Sequence, residues 1–281
     1  MSKKSSFAFA LVAFLVMSVG QAPAFELYPD NLSIGAVYGY YDYSEKLESP
    51  NKSDESGELF GARVEYSYRS PDTIFFGING ELLTGDTDYD GTLQDLSGDH
   101  PEIDGTPAKG KTDNSLLRYE GLVGWTVLPL DYFMITPFTG YGQLEWDRRL
   151  GSEGGAVPFD ETYRWRYIPL GVNMTYDLTP RWNVGLTARI DLVIDSSINI
   201  SGPLFDAEMG IGKKSHYSVE LPITYQFSEH WLATITPFYF NRPSASSDLE
   251  PVQYGGETIW VMEPESTCTF NGVRFFVKAT F

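Results

Sequence analysis

The chain is poor in cysteine and in positive charge. Cys268 is the single cysteine, so no internal disulfide can stabilise the fold. Lysine and arginine number 20 against 38 aspartates and glutamates, which gives a formal net charge of −18. A chain this acidic is a poor partner for the phosphate backbone of nucleic acids, and we expect no nucleic-acid partner. No motif of a cofactor site was found, and we expect no cofactor.

Long apolar runs are also absent, apart from one near the N-terminus. This run, Phe7 to Gly20, follows Lys3 and Lys4 and precedes Ala22-Pro23-Ala24. It is too short to span roughly 30 Å of hydrocarbon, and its flanks are those of a secretory signal peptide. The alternative is a buried core helix. We predict a signal peptide over residues 1–24, cleaved after Ala24, and a single exported domain over residues 25–281.

The rest of the chain alternates between apolar and polar residues in stretches separated by turn-forming residues. Ten such stretches are recognisable: 32–44, 58–69, 73–84, 115–127, 133–146, 163–177, 181–194, 216–227, 231–241 and 268–281. Each is long enough for the roughly 9–11 residues of a tilted membrane strand. In the stretch 181–194, apolar residues from Trp182 to Leu192 share one face, and polar residues such as Arg189 share the other. We therefore predict an all-β fold, a closed antiparallel transmembrane β-barrel of about ten strands.

The connections between the stretches alternate in length. Those at 70–72, 129–131, 178–180 and 228–230 are short, whereas those at 45–57, 85–114, 147–162, 195–215 and 242–267 are long and polar. Short periplasmic turns and long extracellular loops are typical of outer-membrane barrels. The predicted location is therefore the outer membrane of a Gram-negative bacterium. The last stretch ends on an aromatic residue, Phe281, which resembles the C-terminal signal that the barrel-assembly machinery recognises.

The predicted lumen face carries charges of both signs. They are Arg63, Glu65, Glu81, Arg118, Glu120, Arg189, Asp191, Glu220, Arg274 and Lys278. A ten-stranded barrel is narrow, and balanced charges in a narrow, poorly hydrated space should pair. These residues are predicted to form either a network of ion pairs that plugs the barrel or the lining of a narrow aqueous channel.

Two other groups of charged residues are candidates for binding. Arginines at the outer ends of two strands could bind lipopolysaccharide phosphates, or could simply be solvated: Arg148, Arg149, Arg164 and Arg166. The second outer loop is rich in carboxylates, namely Asp86, Asp88, Asp90, Asp95, Asp99, Glu102 and Asp104. These oxygens could hold a divalent cation, but their spacing matches no EF-hand loop, and a solvated acidic loop is the simpler interpretation.

Several short stretches resemble the omptin family of ten-stranded outer-membrane proteases. They are Tyr167-Ile168-Pro169-Leu170-Gly171, His216-Tyr217-Ser218-Val219 and Lys278-Ala279-Thr280-Phe281. Omptins face an Asp-x-Asp pair with an Asp-x-His pair across the barrel mouth, and the resemblance implies that these pairs activate water. Asp86 and Asp88 match the first pair. The second pair is not matched, because His216 follows Lys214 at the position of the aspartate.

The general layout is also similar to that of porin-like families such as the Protochlamydia outer membrane proteins. The sequence thus favours a porin-like or structural surface protein with a narrow or plugged lumen. The alternative is an omptin-type endopeptidase that uses Asp86, Asp88 and His216. The expected partners are outer-membrane lipid, lipopolysaccharide and, through Phe281, the assembly machinery.

Overall fold

The computed structural model describes residues 30–93, 105–151 and 158–281. In these ranges the chain forms β-strands β1 (Asp30–Glu45), β2 (Ser53–Arg69), β3 (Ile74–Thr92), β4 (Pro107–Trp125), β5 (Val127–Leu130), β6 (Phe133–Leu150), β7 (Phe159–Thr179), β8 (Trp182–Ser201), β9 (Asp206–Gly210), β10 (His216–Glu220), β11 (Ile223–Ser228), β12 (Trp231–Ser244), β13 (Glu250–Tyr254), β14 (Glu257–Val261) and β15 (Ser266–Thr280). The described ranges contain no helix that is long and apolar enough to cross a membrane. The predicted signal peptide lies outside them.

The strands close into an antiparallel ring. β1 pairs with β2 on one side and with β15 on the other, so that no sheet edge is left open there. Two positions in the ring are each filled by two strands. β5 continues β4 against β6, and β10 and β11 both lie between β8 and β12. The break between β10 and β11 coincides with Pro222, which has no N–H to donate to a neighbouring strand. The prediction of a closed ten-stranded barrel is confirmed.

Four connections at one end of the barrel are short, and we call this the short-turn end. They join β2 to β3, β5 to β6, β7 to β8 and β11 to β12. The other end, the long-loop end, carries the longer connections. The second of these is shorter than predicted, because β3 continues to Thr92 and β4 begins at Pro107. Residues 85–92, which the polar sequence predicts as part of a loop, pair along their length with β4.

An apolar belt surrounds the outside of the barrel. Ile34, Leu82 and Phe275 are 64%, 52% and 50% exposed and point outward. Along β1 the apolar outward residues run from Leu32 to Tyr40, beyond which the outward positions are polar. Apolar outward and polar inward positions are the arrangement expected of strands that cross a membrane. The part of the barrel beyond this belt at the long-loop end is called the upper barrel below.

Strands β13 and β14 form a hairpin at the long-loop end. Val252 and Val261 of this hairpin are buried in the same apolar cluster as Trp146 and Tyr163 of the barrel wall. The amide of Ser247 donates to the carbonyl of Glu263, which ties the base of the hairpin together. The hairpin therefore packs on the interior of the upper barrel.

Candidate functional site

The lumen is the candidate site, and its middle is crossed by ion pairs. One group centres on Glu81, whose carboxylate accepts hydrogen bonds from Arg274 Nε at 2.7 Å and from Arg63 Nη1 at 3.4 Å. Arg63 also donates to Glu65 at 2.5 Å, and Arg274 Nη1 lies 3.1 Å from a carboxylate oxygen of Glu220. Arg274 and Glu81 are 1% and 3% exposed, so the centre of this group is shielded from water. It closes part of the barrel cross-section.

The second group centres on Glu120, whose side chain is fully buried. Arg118 Nη2 and Arg189 Nη2 each lie 2.6 Å from Glu120 Oε1, and Tyr167 donates its hydroxyl at 2.8 Å. Arg189 also pairs with Asp191. With two arginines and a hydroxyl around it, the carboxylate has the partners that a buried charge requires. The two groups together are called the ionic layer below.

Aromatic rings cover the ionic layer on the side of the long loops. The guanidinium of Arg274 lies 4.3 Å from the ring centroid of Phe238, and that of Arg118 lies 5.1 Å from the ring centroid of Phe240. Cations over ring faces are attracted by the ring quadrupole. Two cavities beside Arg118 and Phe240 measure about 10 Å³ each, which is room for about one water molecule.

The upper barrel is filled by stacked aromatic side chains. Trp146 is 1% exposed and has Tyr163 stacked at a centroid distance of 5.2 Å and Tyr41 edge-on at 5.4 Å. Trp165 stacks on Tyr163 at 5.4 Å and lies 6.4 Å from Trp146. The indole of Trp146 donates to Asn114 at 2.8 Å, so that its polar atom is satisfied.

Beyond these rings, Arg148 is the centre of a group of buried carboxylates. Its two terminal nitrogens donate to Glu55 and Glu161, each at 2.6 Å. Burial opposes ionisation of Glu55, but the charge of Arg148 prevails and lowers the pKa of that carboxyl. Burial raises the pKa of Glu161 despite the same arginine.

Two further carboxyls face the same arginine from the rim. Burial raises the pKa of Glu45 to about 7. Burial, reinforced by the neighbouring Glu161 and Glu45, raises the pKa of Glu263 well above its ordinary value. Tyr163 donates its hydroxyl to Glu263 at 2.6 Å and so links the hairpin base to β7. With four carboxyls around one arginine, this group, which we call the acid cluster, favours bound protons near neutral pH.

The short-turn half of the lumen is different, because it contains a cavity of about 240 Å³. Its walls carry small polar side chains such as Ser33, Thr187 and Thr236, together with charged groups of the ionic layer. Arg69 and Lys278 also line it. We call this cavity the cup. It lies between the ionic layer and the short turns.

The structure brings together nine of the ten charged residues predicted for the lumen, and each of the nine has an oppositely charged partner within 4 Å. The exception is Lys278, which has no carboxylate of the described residues within that distance and lines the cup instead. Its ammonium lies 5.8 Å from the ring centroid of Phe276.

The residues of the omptin-like set do not meet. Asp86 and Asp88 are exposed on the outer face of β3, and no bulge at Gly85 turns them inward, because the register with β2 is the same before and after it. His216 is 5% exposed inside the lumen, beside Trp165. The barrel wall separates these aspartates from this imidazole, so one water molecule cannot contact both.

The four arginines proposed to bind lipopolysaccharide also lie on both faces of the barrel wall. Arg149, Arg164 and Arg166 point outward above the belt, where Arg164 pairs with Glu145 and Arg166 with Asp195. Arg148 points inward and is 1% exposed, which is incompatible with contact to lipid.

The acidic loop residues do not form a cation site in the described part of the chain. Asp86, Asp88 and Asp90 point outward, while Asp95, Asp99, Glu102 and Asp104 lie outside the described residues. Among the residues that can be described, no group of three or more histidine, cysteine, aspartate or glutamate side chains is arranged to hold a metal ion.

Sequence reasoning missed the acid cluster, although one sign of it is in the sequence. Arg148 has the parity of Leu144 and Trp146, two large inward residues, whereas Arg149 has the parity of outward Tyr141. Continuing the alternation past the belt would have placed Arg148 inside. The carboxylates from the other strands could not be assigned to it, because their pairing depends on register and on the path of the long loops.

Comparison with known proteins gives only distant structural similarity. No family model matches the chain, and no curated protein is similar in sequence. The toluene transporter TbuX of Ralstonia pickettii is similar at 11% identity and a TM-score of 0.43, over 90% of this chain and 89% of that chain. Neisserial surface protein A is similar at 10% identity and a TM-score of 0.36, over 89% and 97%. Ail, the attachment invasion locus protein of Yersinia pestis, gives 10% identity and a TM-score of 0.29, over 89% and 99%.

Proposed function

We propose that this chain is an exported outer-membrane barrel with a closed lumen, which acts as a structural surface protein and not as a pore. The observation that carries the proposal is the filling of the lumen from the ionic layer outward. Glu120 and Arg274 of the ionic layer and Trp146 of the upper barrel are all 3% exposed or less. A hydrated channel would leave its lining side chains in contact with water.

Planar-bilayer recording of the refolded mature protein tests this proposal. We expect no steady unitary conductance from the wild type. A triple variant, Arg118→Ser, Arg274→Ser and Phe240→Ser, shortens three of the side chains that block the lumen and should conduct if it still folds. Heat-modifiable mobility in gels checks folding of both proteins. Discrete, voltage-stable conductance steps from the wild type would instead support the porin-like function.

The endopeptidase alternative has no support from the site geometry. Asp86 and Asp88 lie on the outer face and His216 lies inside. We therefore expect no cleavage of dibasic peptides above background, with or without lipopolysaccharide. Cleavage that disappears in both His216→Ala and Asp88→Asn would overturn this expectation.

Two partners belong to the proposal. Arg149, Arg164 and Arg166 point outward just above the belt, where lipopolysaccharide phosphates would lie, and arginine forks match phosphate geometry. Phe281 is 62% exposed at the end of β15 and is accessible to the assembly machinery. Replacing Phe281 with alanine should lower the yield of folded barrel in outer membranes without changing its unfolding in vitro.

A further inference from the structure

The cup holds positive charge that the described residues do not fully neutralise. Its lining includes the cations Arg63, Arg69, Arg189 and Lys278 and the carboxylates Glu65, Glu120 and Glu220, so the positive charges are in excess by one. This excess lies inside a chain whose net charge is −18. The positive charge of the cup therefore needs a counter-ion, either from the protein or from its surroundings.

The excess is located on Arg69 and Lys278. Arg63 and Arg189 are engaged with glutamates of the ionic layer, and Glu220 is engaged with Arg274. Among the described residues, no carboxylate lies within 4 Å of the charged nitrogens of Arg69 or Lys278. The guanidinium carbon of Arg69 lies 5.0 Å from the ring centroid of Phe75.

Unpaired polar atoms of the same cavity point to a missing partner. Arg69 Nε, Asn79 Oδ1 and Thr280 Oγ1 are buried and have no hydrogen-bond partner among the described residues. All three residues line the cup together with Lys278. A buried donor left unsatisfied is costly, and a buried charge left unpaired is more so. Water could satisfy the neutral atoms, but it would leave the two cations without an anion in direct contact.

We propose that the cup is a binding site for a small oxyanion, which carries a carboxylate or a phosphate group and enters from the short-turn end. Arg69 and Lys278 would supply the charge, with Thr280 as a hydroxyl donor. An arginine fork and an ammonium are the groups that bind such oxygens most strongly. A cavity of about 240 Å³ leaves room for the anion and several waters. In the orientation of an outer-membrane barrel this end faces the periplasm.

Titration calorimetry on the full mature barrel in detergent tests the site, with inorganic phosphate and acetate as probes at fixed ionic strength. We expect saturable binding of at least one probe by the wild type. Arg69→Gln and Lys278→Gln should each weaken it about tenfold or more, because each removes a charge-assisted hydrogen bond. Lys278→Arg keeps the charge and should retain binding within about threefold.

Arg181→Gln is the matched control. Arg181 is an exposed arginine at the same end of the barrel, outside the cup, and its replacement should leave binding unchanged. Absence of saturable binding of both probes would overturn the proposal, and so would equal affinity of the wild type and both glutamine variants. This result is independent of conductance, so the site and the proposed closed lumen can fail separately.

The same titration in vesicles distinguishes a soluble anion from a lipid headgroup. Vesicles of phosphatidylcholine alone are compared with vesicles that contain phosphatidylglycerol. If phosphatidylglycerol lowers the affinity for free phosphate in the wild type by more than the negative surface potential of the vesicles accounts for, the headgroup enters the cup, and the site is supported with a lipid as its source. If the affinity is the same in both vesicles, the site is supported with a soluble oxyanion as its ligand.

Discussion

The two halves of the lumen share one ring of strands and are filled in opposite ways. In the upper barrel, inward positions carry large rings such as Trp146, Tyr163 and Trp165, which leave no room for solvent. In the cup, inward positions carry side chains such as Ser33 and Thr187, and a cavity of about 240 Å³ remains. Strand number and stagger set the width of a barrel, so the difference comes from the size of the inward side chains and from the hairpin of β13 and β14, which packs in the upper barrel. The inward residues at each level therefore determine whether the lumen of such a barrel is closed there.

The halves also differ in sign of charge. The acid cluster gathers four carboxyls, Glu45, Glu55, Glu161 and Glu263, around Arg148. The cup has an excess of cations. In the acid cluster the excess charge is relieved by bound protons, as the raised pKa of Glu45, to about 7, indicates. Arg69 cannot lose its proton in the same way, and the proposed oxyanion would balance its charge.

The largest expected effect comes from breaking the ionic layer between the halves. Arg274→Ala leaves Glu81 and Glu220 without their shared partner, and loss of one partner of a buried ion pair costs about 3–5 kcal/mol. Lys278→Ala is the matched control, because Lys278 lies four residues away on the same strand and has no carboxylate partner within 4 Å among the described residues. It should cost about 1 kcal/mol or less. Urea unfolding in lipid measures both, and similar costs would show that the ionic layer contributes little.

The next effect tests whether the upper barrel is the tightly packed half. Trp146→Ala removes a ring enclosed by other rings and also deprives Asn114 of a donor, and it should cost about 4 kcal/mol. Met134→Ala removes an equally buried side chain that lines the cup, where the new space joins an existing cavity. It should cost about 2 kcal/mol. A larger loss of stability at Met134 than at Trp146 would show that the cup, and not the upper barrel, is the more tightly packed half.

The fold could be predicted from the sequence because the alternation of apolar and polar residues determines which face of each strand meets lipid and which meets the lumen. Outward Leu82 and Phe275 are apolar since they face lipid, and that period of two is visible without coordinates. The same parity placed Arg274 and Glu81 on the lumen face. Their specific partners are separated by 193 residues in the chain and depend on the register of every strand between them. The cup could not be predicted from the sequence, because its existence depends on how much of the lumen the inward side chains leave empty.

Titration of the acid cluster should give a pH-dependent stability. The folded-state pKa of Glu45 is raised from 4.5 to about 7, so the folded protein holds a proton that the unfolded chain has already lost. Stability should therefore fall by about 2 to 3 kcal/mol as the pH rises from 4.5 to 7. Glu55 behaves oppositely: its lowered pKa gives stability that is lost only in more acidic solution. Urea midpoints from pH 5 to pH 8 measure the decline, and Glu45→Gln should reduce it. An unchanged slope in Glu45→Gln would exclude this carboxyl as the cause.

The smallest effect is local, and it concerns the hairpin of β13 and β14. Its base is tied to the barrel by the hydrogen bond from Tyr163 to Glu263, and the raised pKa of Glu263 favours the protonated form of that carboxyl. When it ionises at higher pH, it faces Glu161 and Glu45, and Arg148 is already bound to other carboxylates. The hairpin should then open more often. Chymotrypsin can cut it at Tyr254 or Trp260 only after local unfolding.

Between pH 6 and pH 9 we expect the cleavage rate of the wild-type hairpin to rise several-fold, after correction for the activity of chymotrypsin on an unstructured peptide of residues 245–265. Glu263→Gln keeps an oxygen that accepts the Tyr163 hydroxyl but cannot ionise, so its corrected rate should change less than about twofold. Tyr163→Phe removes the hydroxyl and leaves the ring stack, so the hairpin should be cut faster than in the wild type already at pH 6. Equal pH dependence in the wild type and Glu263→Gln would show that the hairpin is held by Val252 and Val261 in the apolar cluster, and not by the protonated carboxyl.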